Sequence, residues 1–305
     1  MVQSNAEETH KDGNSLTEAK SPQQAAKKRG MGELYMILAS VLFATGGLVL
    51  KFNDWNPLAV NGVRSLFGAM VIGIFMLATR RKVHFSKGIF FGALSYLAMT
   101  TLFIAANRMT AAGNVIVLQY SCPLWIVLLN WLLYRKHPSK KEWIALGFIV
   151  LGILCFFLQS LSSGDLAGNL LALASGLFYA ILFMLNSMKG GDAMSSVLIG
   201  QILGFVVFAP FSIGCSWTAS NVLSVIWLGT FQVGLAYLFF CLGTSRVSPL
   251  RACLINGIEP VLNPTLCALA GFERLSGLSL LGAAIVILSV LFYSLQGIQP
   301  KTGTN

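Results

Sequence analysis

The chain has 305 residues, of which 55% are hydrophobic and only 10% charged, with a mean hydropathy of +0.73. A soluble domain carries roughly 25% charge, so this composition excludes one and reads as an all-α, polytopic membrane protein. The formal charge of +10 does not argue for a nucleic-acid partner, because the basic residues sit in short loops and tails, a pattern of membrane topology.

Residues 1–30 are polar, poor in aromatics and end in Lys27, Lys28 and Arg29. Such a stretch cannot bury a core and is expected as a disordered cytosolic tail. The next apolar run lacks a small-residue cleavage signature and reads as a first span rather than a removed signal peptide. Ten runs are long enough for a hydrocarbon core of ~30 Å at about 1.5 Å per residue. They are 33–52, 57–79, 87–107, 112–134, 142–160, 168–187, 193–213, 220–243, 249–270 and 277–296.

The second run contains a cation, Arg64, about 10 Å from the outer edge at helical rise. The third offers Ser95, Tyr96, Met99 and Thr100. In the fourth, Gln119, Cys122, Ile126 and Asn130 are spaced 3, 4 and 4 apart and share a helix face. Pro123, lacking an N–H, frees the carbonyl of Gln119, and Trp125 follows. The eighth run carries Gln232 and Tyr237.

The ninth run is the most unusual, because Glu259 stands near its middle. A central charge opposes insertion by roughly 2.5–3.5 kcal/mol and normally faces protein or a watery cavity. Asn256, Glu259, Asn263 and Cys267 repeat the 3, 4, 4 spacing of the fourth run. Pro260 frees the carbonyl of Asn256, and Pro264 that of Pro260. Broken helices at membrane depth are where carriers hold substrate and coupling ions; the alternative is a buried kink whose polar groups bond neighbouring helices.

Three histidines, His10, His84 and His137, fall in tails or loops, so no metal site is expected. With one carboxylate inside the spans, an embedded enzyme lacks the paired groups it needs. The six cysteines show no CxxC and read as small buried hydrophobes, with no disulfide expected. With the amino terminus cytosolic, all basic residues but Lys51, Arg64, Arg108 and Arg274, that is 17 of 21, lie on the inner side. Both termini are therefore expected in the cytosol and the protein in the cytoplasmic membrane.

An internal repeat appears near an offset of 135, where Leu38–Phe43 recurs as Leu173–Phe178 with one mismatch. At an offset of 137, Pro123 falls on Pro260, Gln119 on Asn256 and Cys122 on Glu259. Five spans per half, an odd number, force the second half to enter upside down. The expectation is ten transmembrane helices in two inverted five-helix repeats, 31–163 and 164–297, followed by a cytosolic tail at 298–305.

Glu259–Pro260, Phe272–Leu275 and the last helix from Gly282 resemble the closing segment of EamA-type members of the drug/metabolite transporter superfamily. Asn61–Arg64 and Cys122–Pro123 resemble the same module less specifically, and Arg135–His137 departs from the Glu-Arg pair expected there. The likeness covers residues 31 to about 297. It implies a carrier whose cavity is lined by spans three, four, eight and nine, many such proteins moving amino acids or small metabolites outward on an ion gradient.

The expected function is thus secondary active export of amino acids or related small polar metabolites by alternating access, with a proton or another ion as coupling partner and no cofactor. Efflux of hydrophobic cations and metabolite uptake are the alternatives; a monomer and a dimer are both open. The candidate substrate-binding or coupling residues are Glu259, Asn256, Asn263, Gln119, Arg64, Tyr96, Trp125, Gln232 and Tyr237. Glu259 takes up a proton or meets a substrate amine. For Arg64 several readings stay open: an ion pair with Glu259, capture of an anionic substrate group, or capping of carbonyls or outward snorkelling.

Overall fold

The computed structural model describes residues 22–109, 112–135, 137–160 and 166–272, and positions 277, 281–282, 284–285 and 288–289. The described residues form helices and connecting turns, with no strand. The long helices are α1 (Pro22–Leu50), α2 (Pro57–Ala78), α3 (Lys87–Met109), α6 (Lys140–Ser160), α7 (Leu166–Met184) and α8 (Ala193–Phe208). The rest are shorter pieces: α4 (Ala112–Gln119), α5 (Cys122–Tyr134), α9 (Ala219–Trp227), α10 (Ala236–Thr244), α11 (Pro249–Asn256) and α12 (Glu259–Leu269).

Seven stretches are long and apolar enough to cross a membrane, and Cys122–Tyr134 and Trp143–Gly152 are shorter apolar helices. Most of the expected tenth span, both chain ends and the motif residues Glu273, Arg274 and Leu275 lie outside the described residues.

Four expected elements change or gain in detail. The first helix starts at Pro22 rather than near residue 33 and takes in part of the expected tail, because proline suits a first helical position and Gln, Ala, Lys and Arg are good helix formers. The fourth and ninth spans are each broken, α4 giving way to α5 at Tyr120–Ser121 and α11 to α12 at Gly257–Ile258. In the eighth, a π-helical segment, Leu228–Leu235, separates α9 from α10. Such segments are rare and concentrate at functional sites.

The halves pack chiefly on each other. α1 lies against α10, α11 and α12, and α7 correspondingly against α3, α4 and α5; α2 packs on the π-helical segment and α8 on α3. At one face Gly32, in the first half of α1, meets Arg246 beyond α10, and Asn186 beyond α7 bonds Thr244 at the end of α10 (3.0 Å). At the other face Phe52 meets Phe272 (5.3 Å between centroids) and Trp55 meets Trp217 (4.6 Å). α1 therefore leaves the face at which α7 ends. An ion pair, Arg251–Glu33 (2.7 Å), ties the start of α11 to α1 at the first face.

Small residues allow these close approaches, as in membrane helix packing generally. A Cβ added at Gly62 would lie 2.4 Å from the Phe208 carbonyl carbon and the Ala209 nitrogen. Backbone atoms cannot swing aside, so Gly62→Val is expected to force α2 off the end of α8. The cost should be about 1–3 kcal/mol, as for overpacked cores, and would be read as a lower thermal midpoint of the purified protein in detergent.

Candidate functional site

The broken ninth span presents its polar groups inward. Asn256, the last residue of α11, is fully buried. Its Nδ2 donates to Tyr120 Oη (2.6 Å), Tyr179 Oη (2.9 Å) and Glu259 Oε2 (3.1 Å). Its Oδ1 accepts from Ser40 Oγ on α1 at 3.1 Å. Tyr120, in the break between α4 and α5, can donate to the Asn256 carbonyl (2.6 Å) or to Glu259 Oε2 (2.8 Å). One node thus joins α1, α7 and both helix breaks.

The hydrogens in this node are fewer than the acceptors facing them. Asn256 Nδ2 carries two for three oxygens, and the Tyr120 hydroxyl carries one for two. The carbonyl that Pro260 frees, which the sequence offers to a ligand, has Tyr120 as a competing donor. Around the other break, the Gln119 carbonyl faces Gly176 of α7, where an added Cβ would lie 2.7 Å away. Cys122 and Cys253, expected as separate hydrophobes, are joined between α5 and α11 with Cα atoms 7.3 Å apart, because the two breaks bring those helices together.

A second cluster surrounds Arg64. Its Nε and Nη2 donate to Asn61 Oδ1 (3.1 and 2.8 Å), and its Nη1 donates to Gln232 Oε1 (3.3 Å). Gln232 lies in the π-helical segment and packs against Gly46 of α1. The next residue, Gly47, receives Asn263 of α12, whose amide any Cβ there would overlap. Asn263 Oδ1 also lies 3.9 Å from Cys267 Sγ. Arg64 and Glu259 make no ion pair with each other; Tyr237 stands within electrostatic range of both. Its ring meets Phe43 (4.8 Å) and Tyr96 (5.0 Å) edge to face.

Of the nine residues singled out from sequence, the structure joins Glu259 with Asn256, Arg64 with Gln232, and Tyr96 with Tyr237. Asn263 sits between α1 and its own helix, and Gln119 is buried at the break. Trp125 turns to its own helix, its indole N–H donating to Ser121 Oγ (3.1 Å), and packs as apolar wall. Tyr120, Tyr179, Ser40 and Asn61 were not singled out. A signal existed for two: Ser40 lies in the internal repeat, and Asn61 precedes Arg64 by three residues, a neighbouring position on one helix face. No group of three or more metal-ligating side chains occurs among the described residues.

The model of the EamA-like transporter family matches residues 30–158 and again 166–295. An uncharacterized transporter of Bacillus subtilis, YwfM, is 26% identical over 294 residues, spanning 90% of this chain and 97% of its own. The threonine/homoserine exporter RhtA of Escherichia coli K12 is 25% identical over 270 residues, 83% of this chain and 88% of its own. A crystal structure superimposes with a TM-score of 0.73 at 18% identity, covering 89% of this chain and all of that one.

Proposed function

The chain belongs to the EamA-like transporter family, a multi-pass membrane family, and we propose that it exports amino acids or related small polar metabolites across the cytoplasmic membrane by alternating access. In this reading ten spans form two oppositely inserted five-helix repeats. The opposite courses of α1 and α7 and the mirrored packing of the halves support that arrangement. Both termini lie in the cytosol, since the face holding Arg246 and Arg251 is the basic one.

The observation that carries the reading is the node in which Glu259 and Asn256 of one repeat meet Tyr120 of the other at paired helix breaks. Glu259 takes up a proton, or meets the ammonium of the solute, in alternation. As a carboxylate it draws the Tyr120 hydrogen; once protonated or paired, it releases that hydrogen to the Asn256 carbonyl at the α11–α12 break. Ligand chemistry at one side chain thereby becomes a choice between two backbone arrangements, the two-state element that alternating access needs. The likeness to a threonine/homoserine exporter favours small polar solutes, and the amides of Gln232, Asn256 and Asn263 suit them.

The test is efflux from proteoliposomes loaded with radiolabelled threonine, homoserine or a hydrophobic cation dye, with and without an imposed proton gradient. Gradient-dependent loss of the amino acids is expected. Dye movement without amino-acid movement would overturn the reading in favour of drug efflux, for which the Phe43, Tyr96 and Tyr237 rings are the supporting feature. Inward movement alone would assign uptake.

A further inference from the structure

We infer that Arg64, with Asn61 and Gln232, is a receptor for the carboxylate of the transported solute, a site distinct from the Glu259 node. A guanidinium within a span is costly to insert and normally has an anionic partner or water. Here its three hydrogen bonds all go to neutral amide oxygens, and it forms no ion pair among the described residues. Three bonds use three of its five N–H groups, leaving two without an acceptor among the described residues.

The neighbouring side chain is also incomplete. Asn61 is 2% exposed, its Oδ1 is committed to Arg64, and its buried Nδ2 has no hydrogen-bond partner among the described residues. A buried unpaired donor costs about as much as a lost hydrogen bond and calls for a missing acceptor. A cation with spare donors beside an orphaned amide N–H accepts one kind of group well: a planar, two-oxygen anion. Arginine binds carboxylates through two parallel bonds, a geometry a point charge cannot reproduce.

The surrounding backbone is arranged to keep the guanidinium in place. The π-helical segment brings Gln232 to Arg64, and within it Gly229 lets that backbone close on Arg64, where an added Cβ would lie 2.8 Å from the Arg64 carbonyl. Tyr237 lies in electrostatic range of both Arg64 and Glu259. The inference rests on the transport reading and narrows it to solutes carrying a carboxylate; hydrophobic cations have nothing to offer this site.

The experiment measures binding to the purified protein by thermal shift, using threonine, homoserine, threonine methyl ester and sodium propionate. The acid is expected to bind roughly 10- to 100-fold more tightly than its methyl ester, the range for a charge-assisted pair. Arg64→Gln, whose amide can still meet Asn61 and Gln232, should bring the acid down to the ester's affinity and leave the ester unchanged. Arg64→Lys should fall between. Equal affinity of acid and ester, or an Arg64→Gln variant that weakens both alike, would overturn the inference while leaving amino-acid export standing. If neither amino acid binds, the export reading fails instead, and propionate decides the site: a shift lost in Arg64→Gln supports it, and no shift in the native protein refutes it.

Discussion

A Glu259→Gln protein is expected to fold and to bind solute, yet to lose gradient-driven flux by roughly 100-fold, the lower end of the loss when a positioned proton-transfer group is removed. Glutamine keeps the shape and one acceptor oxygen, so Asn256 Nδ2 and Tyr120 Oη retain a partner at the distances of the native node, 3.1 and 2.8 Å. What it cannot do is change charge. The Tyr120 hydrogen then has no reason to move between the side chain and the Asn256 carbonyl, and the two helix arrangements are no longer tied to the gradient. Counterflow, exchange of labelled for unlabelled solute without a gradient, separates coupling from binding and should survive. The measurement is efflux from proteoliposomes with a pH step, beside counterflow in the same preparation. A variant with normal insertion and undiminished gradient-driven flux would take Glu259 out of the coupling step.

Glu259 and the two broken spans were legible in the sequence because they violate the rules of an apolar helix. A carboxylate and prolines in membrane-length runs have few innocent readings, and their spacing put Asn256 and Glu259 on one face. Tyr120, Tyr179 and Ser40 were not legible for the opposite reason. Tyrosine and serine are ordinary in such runs, where rings pack and hydroxyls bond the preceding turn, as Ser40 also does to the Met36 carbonyl (2.7 Å). Their role comes from the meeting of distant helices, which one-dimensional spacing does not contain.

The partner of Arg64 illustrates the same limit. Depth along the membrane allowed an Arg64–Glu259 pair, but depth says nothing of rotation about the helix axis. Asn61, one turn away on the same helix, takes the guanidinium first. The repeat offset likewise set Cys122 over Glu259, whereas the folded chain joins Cys122 to Cys253, since an offset records ancestry of position and not contact. The π-helical segment packs against α2, a meeting of distant spans that the run's own sequence does not contain.

Asn256→Leu is expected to be severely damaging although it nearly conserves the volume of the side chain. Leucine fills nearly the same volume but removes the donor to Tyr179 and Glu259 and the acceptor of Ser40. Ser40 retains the Met36 carbonyl, and Tyr120 retains the Asn256 backbone carbonyl, so neither is orphaned. Tyr179 and Glu259 are the groups left short, and a buried polar group deprived of its partner costs about 1–3 kcal/mol. Solute-dependent thermal stabilisation and transport should both be lost, because the node can no longer hold α1, α7 and the two breaks together. Asn256→Asp serves as the contrast: it keeps the acceptor for Ser40 yet sets a second carboxylate beside Glu259, where like charges inside a membrane disfavour each other strongly. The aspartate variant should therefore lose gradient-driven flux as well, although it is closer in structure to asparagine. Equal stability and equal flux for native and Asn256→Leu proteins would reduce the node to helix packing.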